Sequence, residues 1–333
     1  MIKLKLVNLK GGLFMPLVDK PLKELQEYMG INPCPADFDK FWDERLAEIE
    51  KMNYDVEFVK VDYPSDIAEM YDLYFTGTMG ARIHCRFAKP KNVEGKLPAV
   101  INFHGLSGSC DTWYSSLGYV SHGYVFVMMD SRGQGGTSED LGGATGSTYS
   151  TPFIRGIDDV PEKMYQTNLF LDTAILAKII MNLEYVDETR VGCYGSSQGG
   201  GLSIACAALV PEIKNCFAVY PYLSDYRRVW EMDLDKDAFE GLRYYFRKFD
   251  PLHEREDEIF TKLGYVDIQN FAKRIKANVV MATGLMDTIV PPSTQFAMYN
   301  KLNCNKKTLI YPDYGHEGII GMGDKIFEFM ATL

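Results

Sequence analysis

The stretch that decides the fold is residues 190–209, RVGCYGSSQGGGLSIACAAL. Its first five residues form a run that is short and apolar enough for a buried strand. The residues after Gly199 predict a helix that ends before Pro211. Between them, Gly195–Gly199 fits the pattern G-x-S-x-G with Ser197 at its centre. Glycines flank the serine because so sharp a turn leaves no room for side chains. This strand–turn–helix context favours a nucleophilic Ser197 over a tight turn without chemistry.

Composition and charge exclude several classes of protein. The chain has 333 residues and a formal net charge of −10, which would repel nucleic-acid phosphates. Its 7 cysteines are scattered and form no C-x-x-C pair, which predicts a reducing compartment without a disulfide framework or a zinc site. The first residues lack the apolar core of a signal peptide, and no apolar run could span a bilayer. We therefore expect a cytoplasmic protein with neither a nucleic-acid nor a membrane partner.

The hydrophobic pattern changes near Leu97. Before this residue, three strand-like runs at 56–63, 69–76 and 82–87 alternate in part between apolar and polar residues, which predicts antiparallel strands. After it, apolar runs separated by helical stretches predict a mostly parallel sheet with helices on both faces. An antiparallel start followed by parallel units is the layout of the α/β-hydrolase fold.

A single domain accounts for the whole pattern. We expect a domain over residues 1–333 that includes an N-terminal helical extension (about 15–52) and a small cap-like insertion (about 226–257). In the extension, Asp37 is the expected N-cap of a helix from Phe38 to about Met52. Residues 1–14 fit no predicted element.

The catalytic base should be a histidine, because a serine hydroxyl is a poor nucleophile until a base removes its proton. Two histidines follow Ser197 in the chain. His253 lies in a polar segment away from any predicted strand end. His316 follows the apolar run 308–311, where an α/β-hydrolase places its base. A lone histidine is usually structural, but this position and order favour His316 as the base.

A carboxylate should hold that histidine in the correct tautomer. Asp287 is the first carboxylate after the apolar run 279–283, on the loop that follows the penultimate predicted strand. The alternative is Asp313, which shares a loop with His316 and would need an unusual geometry. The strand-end position favours Asp287.

The tetrahedral oxyanion needs two fixed donors. The backbone N–H of Gln198, the residue after the candidate nucleophile, supplies the first. The second is expected on the loop 103–108, where His104-Gly105 resembles the H-G signature of lipases and esterases. The N–H of Leu106 is the candidate there, and the alternative is a plain glycine-rich turn.

Three short motifs occur in order along the chain: Arg132-Gly133-Gln134, Gly195-x-Ser197-Gln198-Gly199 and His316-Glu317. Together they resemble the pattern of carbohydrate esterase family 7, the acetyl xylan esterase and cephalosporin C deacetylase group. Residues 21–42 and 222–226 are also similar to that family. The resemblance therefore covers nearly the whole chain beyond residue 15.

The resemblance implies removal of acetyl groups from small O-acetylated substrates, namely short xylo-oligosaccharides and cephalosporin C. It implies a catalytic triad of Ser197, Asp287 and His316, no metal and assembly into a homohexamer. The elbow itself predicts an acyl-enzyme intermediate, and we expect no cofactor. Arg132 and Gln134 would be structural supports near the site.

One residue departs from the family pattern. The family usually carries tyrosine after His-Gly, where this chain has Leu106, whose side chain would line the acyl pocket. Two other functions remain open. A long-chain carboxylesterase or a prolyl-oligopeptidase-like peptidase could use the same fold, although no propeller-sized domain precedes the motifs in this sequence. A non-catalytic binding protein is disfavoured because such proteins usually lose part of the triad.

Overall fold

The computed structural model describes residues 18–92, 94–145 and 151–333. Within these ranges the strands are β1 Glu57–Val61, β2 Ala68–Thr76, β3 Arg82–Pro90, β4 Leu97–Phe103, β5 Val125–Met129, β6 Val186–Ser196, β7 Asn215–Val219, β8 Asn278–Gly284 and β9 Lys306–Tyr311. The α-helices are α1 Leu22–Leu25, α2 Phe38–Ile49, α3 Trp113–Val120, α4 Tyr165–Met181, α5 Gln198–Leu209, α6 Tyr226–Glu231, α7 Glu240–Phe249, α8 Glu256–Leu263, α9 Ile268–Phe271, α10 Pro292–Lys301 and α11 Met322–Met330. Short 3-10 helices lie at Thr78–Gly80, Pro152–Ile154, Pro161–Lys163, Asp237–Phe239, Gly264–Val266 and Ala272–Arg274.

The strands of the described residues form one sheet in the order β1-β2-β3-β5-β4-β6-β7-β8-β9. The pairs β1–β2, β2–β3 and β3–β5 are antiparallel, and the remaining neighbours are parallel. The predicted α/β-hydrolase fold, with a mostly parallel sheet and antiparallel N-terminal strands, is confirmed. Parallel strands end at one edge of such a sheet, so the loops after β4 to β9 lie close together there.

Helices cover both faces of the sheet. In β5, Val125 and Val127 belong to the core that contains α4 and α5, whereas Phe126 and Met128 belong to the core that contains residues of α3 and α11. Successive side chains of a strand point to opposite faces, so a strand between two cores is apolar at nearly every position. This explains why the central runs of the sequence are mostly apolar, without a regular alternation. No helix in the described ranges is both long and apolar enough to cross a membrane.

The helix predicted in the N-terminal extension is α2, which ends at Ile49 instead of Met52. Asp37 occupies the N-cap position, but its side chain makes no capping hydrogen bond. Its backbone, with φ −101° and ψ 15°, is outside the extended conformation that an N-cap needs. The carboxylate instead accepts a 2.5 Å hydrogen bond from the Tyr265 hydroxyl. Residues 1–17, which include the unassigned segment 1–14, lie outside the described residues.

A fully buried carboxylate attaches the extension to the rest of the fold. Asp225 Oδ1 accepts hydrogen bonds from the backbone N–H of Ile31 (3.0 Å) and Asn32 (2.8 Å). Its Oδ2 accepts from the Tyr28 hydroxyl at 2.8 Å. Asp225 in turn donates its own N–H to the buried carboxylate of Asp267. The two carboxylates therefore share one buried region.

This carboxylate pair makes the stability of the fold depend on pH. Burial and the nearby Asp225 charge raise the pKa of Asp267 to about 7. In the unfolded chain this carboxyl has a pKa of about 3.9. At pH values between the two pKa values, the folded chain therefore keeps a proton on Asp267 that the unfolded chain has lost. Stability from this group is complete below about pH 4 and is lost as pH rises to about 7.

We expect the free energy of unfolding, relative to the Asp267→Asn variant, to fall by roughly 2–4 kcal/mol between pH 4 and pH 7. Denaturant unfolding of both proteins across that range measures the difference, and groups that titrate equally in both cancel. A difference that stays constant with pH would contradict the protonation of Asp267.

Candidate active site

Ser197 lies at the sharp turn between β6 and α5. Its backbone has φ 57° and ψ −120°, a strained conformation for a residue with a side chain. The turn is held by a 2.9 Å hydrogen bond from the Ser197 N–H to the Val219 carbonyl at the end of β7. This geometry presents the half-buried Ser197 hydroxyl at the edge where the parallel strands end.

The flanking glycines are required by close backbone packing. A Cβ atom added at Gly199 would lie 2.0 Å from the Phe103 carbonyl oxygen, and one at Gly195 would lie 2.5 Å from the same atom. Real Cβ contacts are not that short, so a side chain at either position would push the turn away from β4. The elbow therefore packs directly against the end of β4, from which the candidate oxyanion loop begins.

A continuous chain of hydrogen bonds connects the three predicted triad residues. His316 Nε2 lies 2.9 Å from Ser197 Oγ, and His316 Nδ1 lies 2.8 Å from Asp287 Oδ2. The other oxygen of the fully buried Asp287 accepts the backbone N–H of Ile289 (2.9 Å) and Val290 (2.8 Å), which fixes the carboxylate. A carboxylate only accepts, so Nδ1 carries the proton and Nε2 is free to accept from Ser197.

The alternative residues lie elsewhere. Asp313 is exposed on the loop after β9, while Asp287 supplies the carboxylate beside His316. His253 lies between α7 and α8, where its Nδ1 is 3.3 Å from a carboxylate oxygen of Glu256. The geometry favours the pairing of Asp287 with His316.

The two candidate oxyanion donors lie on adjacent segments. The loop after β4 passes close to the elbow, since a Cβ at Gly105 would be 3.8 Å from the Ser196 carbonyl oxygen. Within the described part of the chain, neither the Leu106 N–H nor the Gln198 N–H has a hydrogen-bond partner. Gln198 is also the first residue of α5, where helix N–H groups are unsatisfied and the dipole favours negative charge. Both groups are thus available to an oxyanion.

A pair of side-chain amides connects these two segments. Gln134 Nε2 donates to Gln198 Oε1 at 2.8 Å, and Gln198 Nε2 donates to Gln134 Oε1 at 3.0 Å. Gln134 Oε1 also accepts the backbone N–H of Ser107 at 2.8 Å. Gln134 therefore connects Ser107, which follows the candidate donor Leu106, to the side chain of Gln198, the other candidate donor.

Arg132, which begins the Arg-Gly-Gln motif, is fully buried. Its guanidinium makes a bidentate ion pair with Asp172 on α4, with contacts of 2.7 and 2.8 Å, and also donates to the Thr78 hydroxyl at 2.8 Å. Burial lowers the pKa of Arg132, but Asp172 more than offsets that effect and the net pKa is raised. The Tyr165 hydroxyl donates to the Arg132 carbonyl (2.6 Å) and accepts from Gln134 (2.9 Å). Tyr165 thus links Arg132 to Gln134.

Asp130, which the sequence did not single out, connects the loops on the same side of the site. Its Oδ1 accepts the Cys110 N–H at 2.6 Å, and its Oδ2 accepts the Thr137 N–H at 3.1 Å. Cys110 follows the oxyanion loop, and Thr137 follows the Arg-Gly-Gln motif. Asp130 follows β5 directly and therefore lies at the edge of the sheet where the parallel strands end. This strand-end position is the feature of the sequence from which Asp130 could have been predicted.

In the described ranges, one group of side chains brings metal-ligating atoms together: those of His84, Cys110 and Asp130 lie within 4.8 Å of one another. Here His84 Nδ1 pairs with Asp130 at 2.7 Å and Nε2 with Asp72 at 2.8 Å. Burial lowers the pKa of His84, but the hydrogen bonds to the two carboxylates raise it above its usual value. The two carboxylates therefore favour the protonated form of this imidazole.

The amide pair predicts a measurable role for Gln134. Gln134→Leu keeps the approximate size of the side chain but leaves the Ser107 N–H and the Gln198 amide without their partners. We expect kcat for an acetyl ester to fall on the order of 10- to 100-fold, because lost buried hydrogen bonds of this kind cost about 1–3 kcal/mol. KM should change little, since Gln134 is not expected to touch the substrate. Steady-state kinetics measure both values, and an unchanged kcat would show that the pair does not support the oxyanion loop.

The fold and the Ser197–His316–Asp287 hydrogen bonds place the protein among the α/β-hydrolases. The family model for acetyl xylan esterase (AXE1) matches residues 15–333, and the chain belongs to this family. The resemblance stated from the three motifs is thereby confirmed.

Two solved structures are similar over nearly the whole chain. Acetyl xylan esterase 1 from Thermoanaerobacterium sp. JW/SL YS485 is 52% identical, with a TM-score of 0.93, 94% of this chain covered and 99% of that chain. An acetyl xylan esterase from Paenibacillus sp. R4 is 34% identical, with a TM-score of 0.90 and the same coverage of 94% and 99%. Among curated proteins, the acetyl esterase Axe7A of Xylanibacter ruminicola is 28% identical over 288 residues, which are 85% of this chain. The chain spans 63% of the length of that curated relative.

Proposed function

We propose that this protein is a serine esterase that removes acetyl groups from small O-acetylated carbohydrates, with acetylated xylo-oligosaccharides as substrates. The observation that carries the proposal is the continuous contact from Ser197 Oγ through His316 to Asp287, at 2.9 and 2.8 Å. The acyl group is inferred from the family and from the named activities of the relatives, which are acetyl esterases.

The first step forms an acetyl-enzyme. His316 Nε2 takes the proton from Ser197 as Oγ attacks the acetyl carbonyl carbon. The carbonyl oxygen becomes an oxyanion that accepts hydrogen bonds from the backbone N–H groups of Gln198 and Leu106. When the intermediate collapses, the C–O bond to the sugar breaks and His316 gives its proton to the departing alcohol. Asp287 stabilises the imidazolium and holds its tautomer throughout.

The second step returns the enzyme to its starting state. A water molecule loses a proton to His316 Nε2 and attacks the acetyl carbon of the acetyl-enzyme. The same two N–H groups bind the second oxyanion. Its collapse releases acetate, and the proton on His316 returns to Ser197 Oγ.

We also propose that the acetyl group of cephalosporin C is a substrate and that the protein assembles as a homohexamer. Both extensions are supported by the family resemblance of the three motifs. Leu106 is half-buried and stands where the family usually has tyrosine, so we expect a less polar acyl pocket than the family pattern implies. Size-exclusion chromatography with light scattering tests the hexamer, and the mass of a monomer or dimer would contradict it.

Two assays on the purified chain test the proposed substrate class. Acetate release from acetylated xylo-oligosaccharides is compared with release from cephalosporin C, with the Ser197→Ala variant as a blank. A series of p-nitrophenyl esters of increasing acyl length then separates acetyl preference from long-chain preference. We expect acetyl to be the best acyl group and both acetylated substrates to release acetate. A preference for long acyl chains, with no acetate release from the sugars, would assign the protein to another class of carboxylesterase.

A further inference from the structure

Tyr220 lies against the catalytic histidine, and neither the motifs nor the proposed reaction steps include it. It is the first residue after β7, its side chain is buried, and its ring centroid is 4.6 Å from that of His316. The two rings are tilted by 52°. The distance is within the range in which an aromatic ring attracts a cation, about 6 Å from the centroid.

The backbone fixes Tyr220 relative to the nucleophile. Its φ of 34° is in the left-handed region, which a non-glycine residue rarely adopts. Residues before and after Tyr220 form hydrogen bonds with the backbone of Ser197. The Val219 carbonyl accepts from the Ser197 N–H (2.9 Å), and the Tyr222 N–H donates to the Ser197 carbonyl (3.0 Å). The Tyr220 N–H itself donates to the Ala282 carbonyl of β8 at 2.7 Å. The strained turn thus holds the ring at a set position beside the triad.

The proposed reaction converts His316 from a neutral imidazole to an imidazolium in each step. The face of an aromatic ring interacts more favourably with the charged imidazolium than with the neutral imidazole. Such an interaction is stronger in the transition state than in the ground state, which is the condition for a contribution to kcat.

We propose that Tyr220 is a positioning residue that acts through His316: its ring keeps the imidazole in line with Ser197 and stabilises the imidazolium. This inference rests on the proposed function, since it requires His316 to act as the base.

Two carboxylates lie near His316 and are unchanged by a substitution at Tyr220. Asp287, on the loop after β8, accepts from Nδ1. Glu317 is next to His316 on the loop after β9, and its Oε1 accepts the Gly315 N–H at 3.1 Å. Burial raises the pKa of Tyr220 itself, so its phenol stays neutral where an imidazole titrates. A substitution of Tyr220 changes neither carboxylate, and the comparison between variants therefore isolates the ring.

The test compares Tyr220→Leu, which removes the ring, with Tyr220→Phe, which removes only the hydroxyl. The pH profile of kcat/KM and the value of kcat are measured with p-nitrophenyl acetate. We expect Tyr220→Leu to lower kcat about 3- to 30-fold and to move the acid limb of the profile to lower pH. Tyr220→Phe should keep the wild-type kcat and the wild-type position of the acid limb. An acid limb that does not move in Tyr220→Leu would overturn the proposal.

Ring fluorination provides a control that preserves packing. Phenylalanine analogues with increasing fluorination, placed at position 220, weaken the negative face of the ring with little change in its size. We expect kcat to fall stepwise with fluorination, whereas a constant kcat would overturn the electrostatic role. The wild-type protein separates the two failures: no acetyl esterase activity in the wild type rejects the proposed function. Normal wild-type activity with an unmoved acid limb in Tyr220→Leu rejects only the role of Tyr220.

Discussion

Replacing Ser197 with alanine is expected to lower kcat for acetyl ester hydrolysis on the order of 10⁴- to 10⁶-fold. The variant keeps the turn but lacks the oxygen that attacks the acetyl carbon, so no acetyl-enzyme can form. Oxyanion donors and substrate binding would leave only a small residual rate. Steady-state assays with p-nitrophenyl acetate and with an acetylated xylo-oligosaccharide measure the loss on both substrates.

The neighbouring serine provides a matched control for this variant. Ser196 precedes Ser197 in the same turn, as the last residue of β6, but the hydrogen bond of His316 Nε2 goes to the Ser197 hydroxyl. We expect Ser196→Ala to retain activity within about tenfold of the wild type, because the hydroxyl that it removes is not the nucleophile. If Ser196→Ala were the inactive variant and Ser197→Ala the active one, the assignment of the nucleophile would be wrong.

The second large effect is expected from Asp287→Asn. An amide in this position can donate to His316 Nδ1, which favours the tautomer with the proton on Nε2 and leaves no acceptor for the Ser197 proton. The developing imidazolium also loses its carboxylate. We expect kcat to fall on the order of 10³- to 10⁴-fold with little change in KM. The measurement is the same pair of steady-state assays.

Asp313→Asn is the control for this substitution. Asp313 is an exposed carboxylate on the same loop as His316, so its replacement makes an equal change in charge near the site. We expect near wild-type kinetics in this variant. A large loss in Asp313→Asn, together with a normal rate in Asp287→Asn, would transfer the role of the acid to Asp313.

Local signals in the sequence were sufficient to predict the sheet and the elbow. The apolar runs at 99–103 and 279–283 lie within β4 and β8, because a strand between two cores is apolar at nearly every position. The elbow was predictable because the glycines beside Ser197 satisfy a steric requirement of the turn itself. Chain order and strand-end positions then singled out His316 and Asp287, and in the structure His316 contacts both Ser197 and Asp287.

Contacts between distant segments were not predictable in the same way. Asp37 fits an N-cap in sequence, but the Tyr265 hydroxyl, remote in the chain, takes its carboxylate. The pairing of His84 with Asp130 joins β3 to the end of β5, and no local pattern reports it. Tyr220 looks like an ordinary strand residue until the fold places it beside His316. Each of these cases depends on which loops meet in three dimensions.

Labelling with a fluorophosphonate, followed by peptide mass mapping, tests the central claim most directly. Such a probe reacts with a serine only where a base activates its hydroxyl and an oxyanion site receives the phosphoryl oxygen. The structure predicts a single adduct on Ser197, formed in proportion to the loss of acetyl esterase activity and absent in Ser197→Ala. An adduct on a different residue, or full activity without any label on Ser197, would contradict the account.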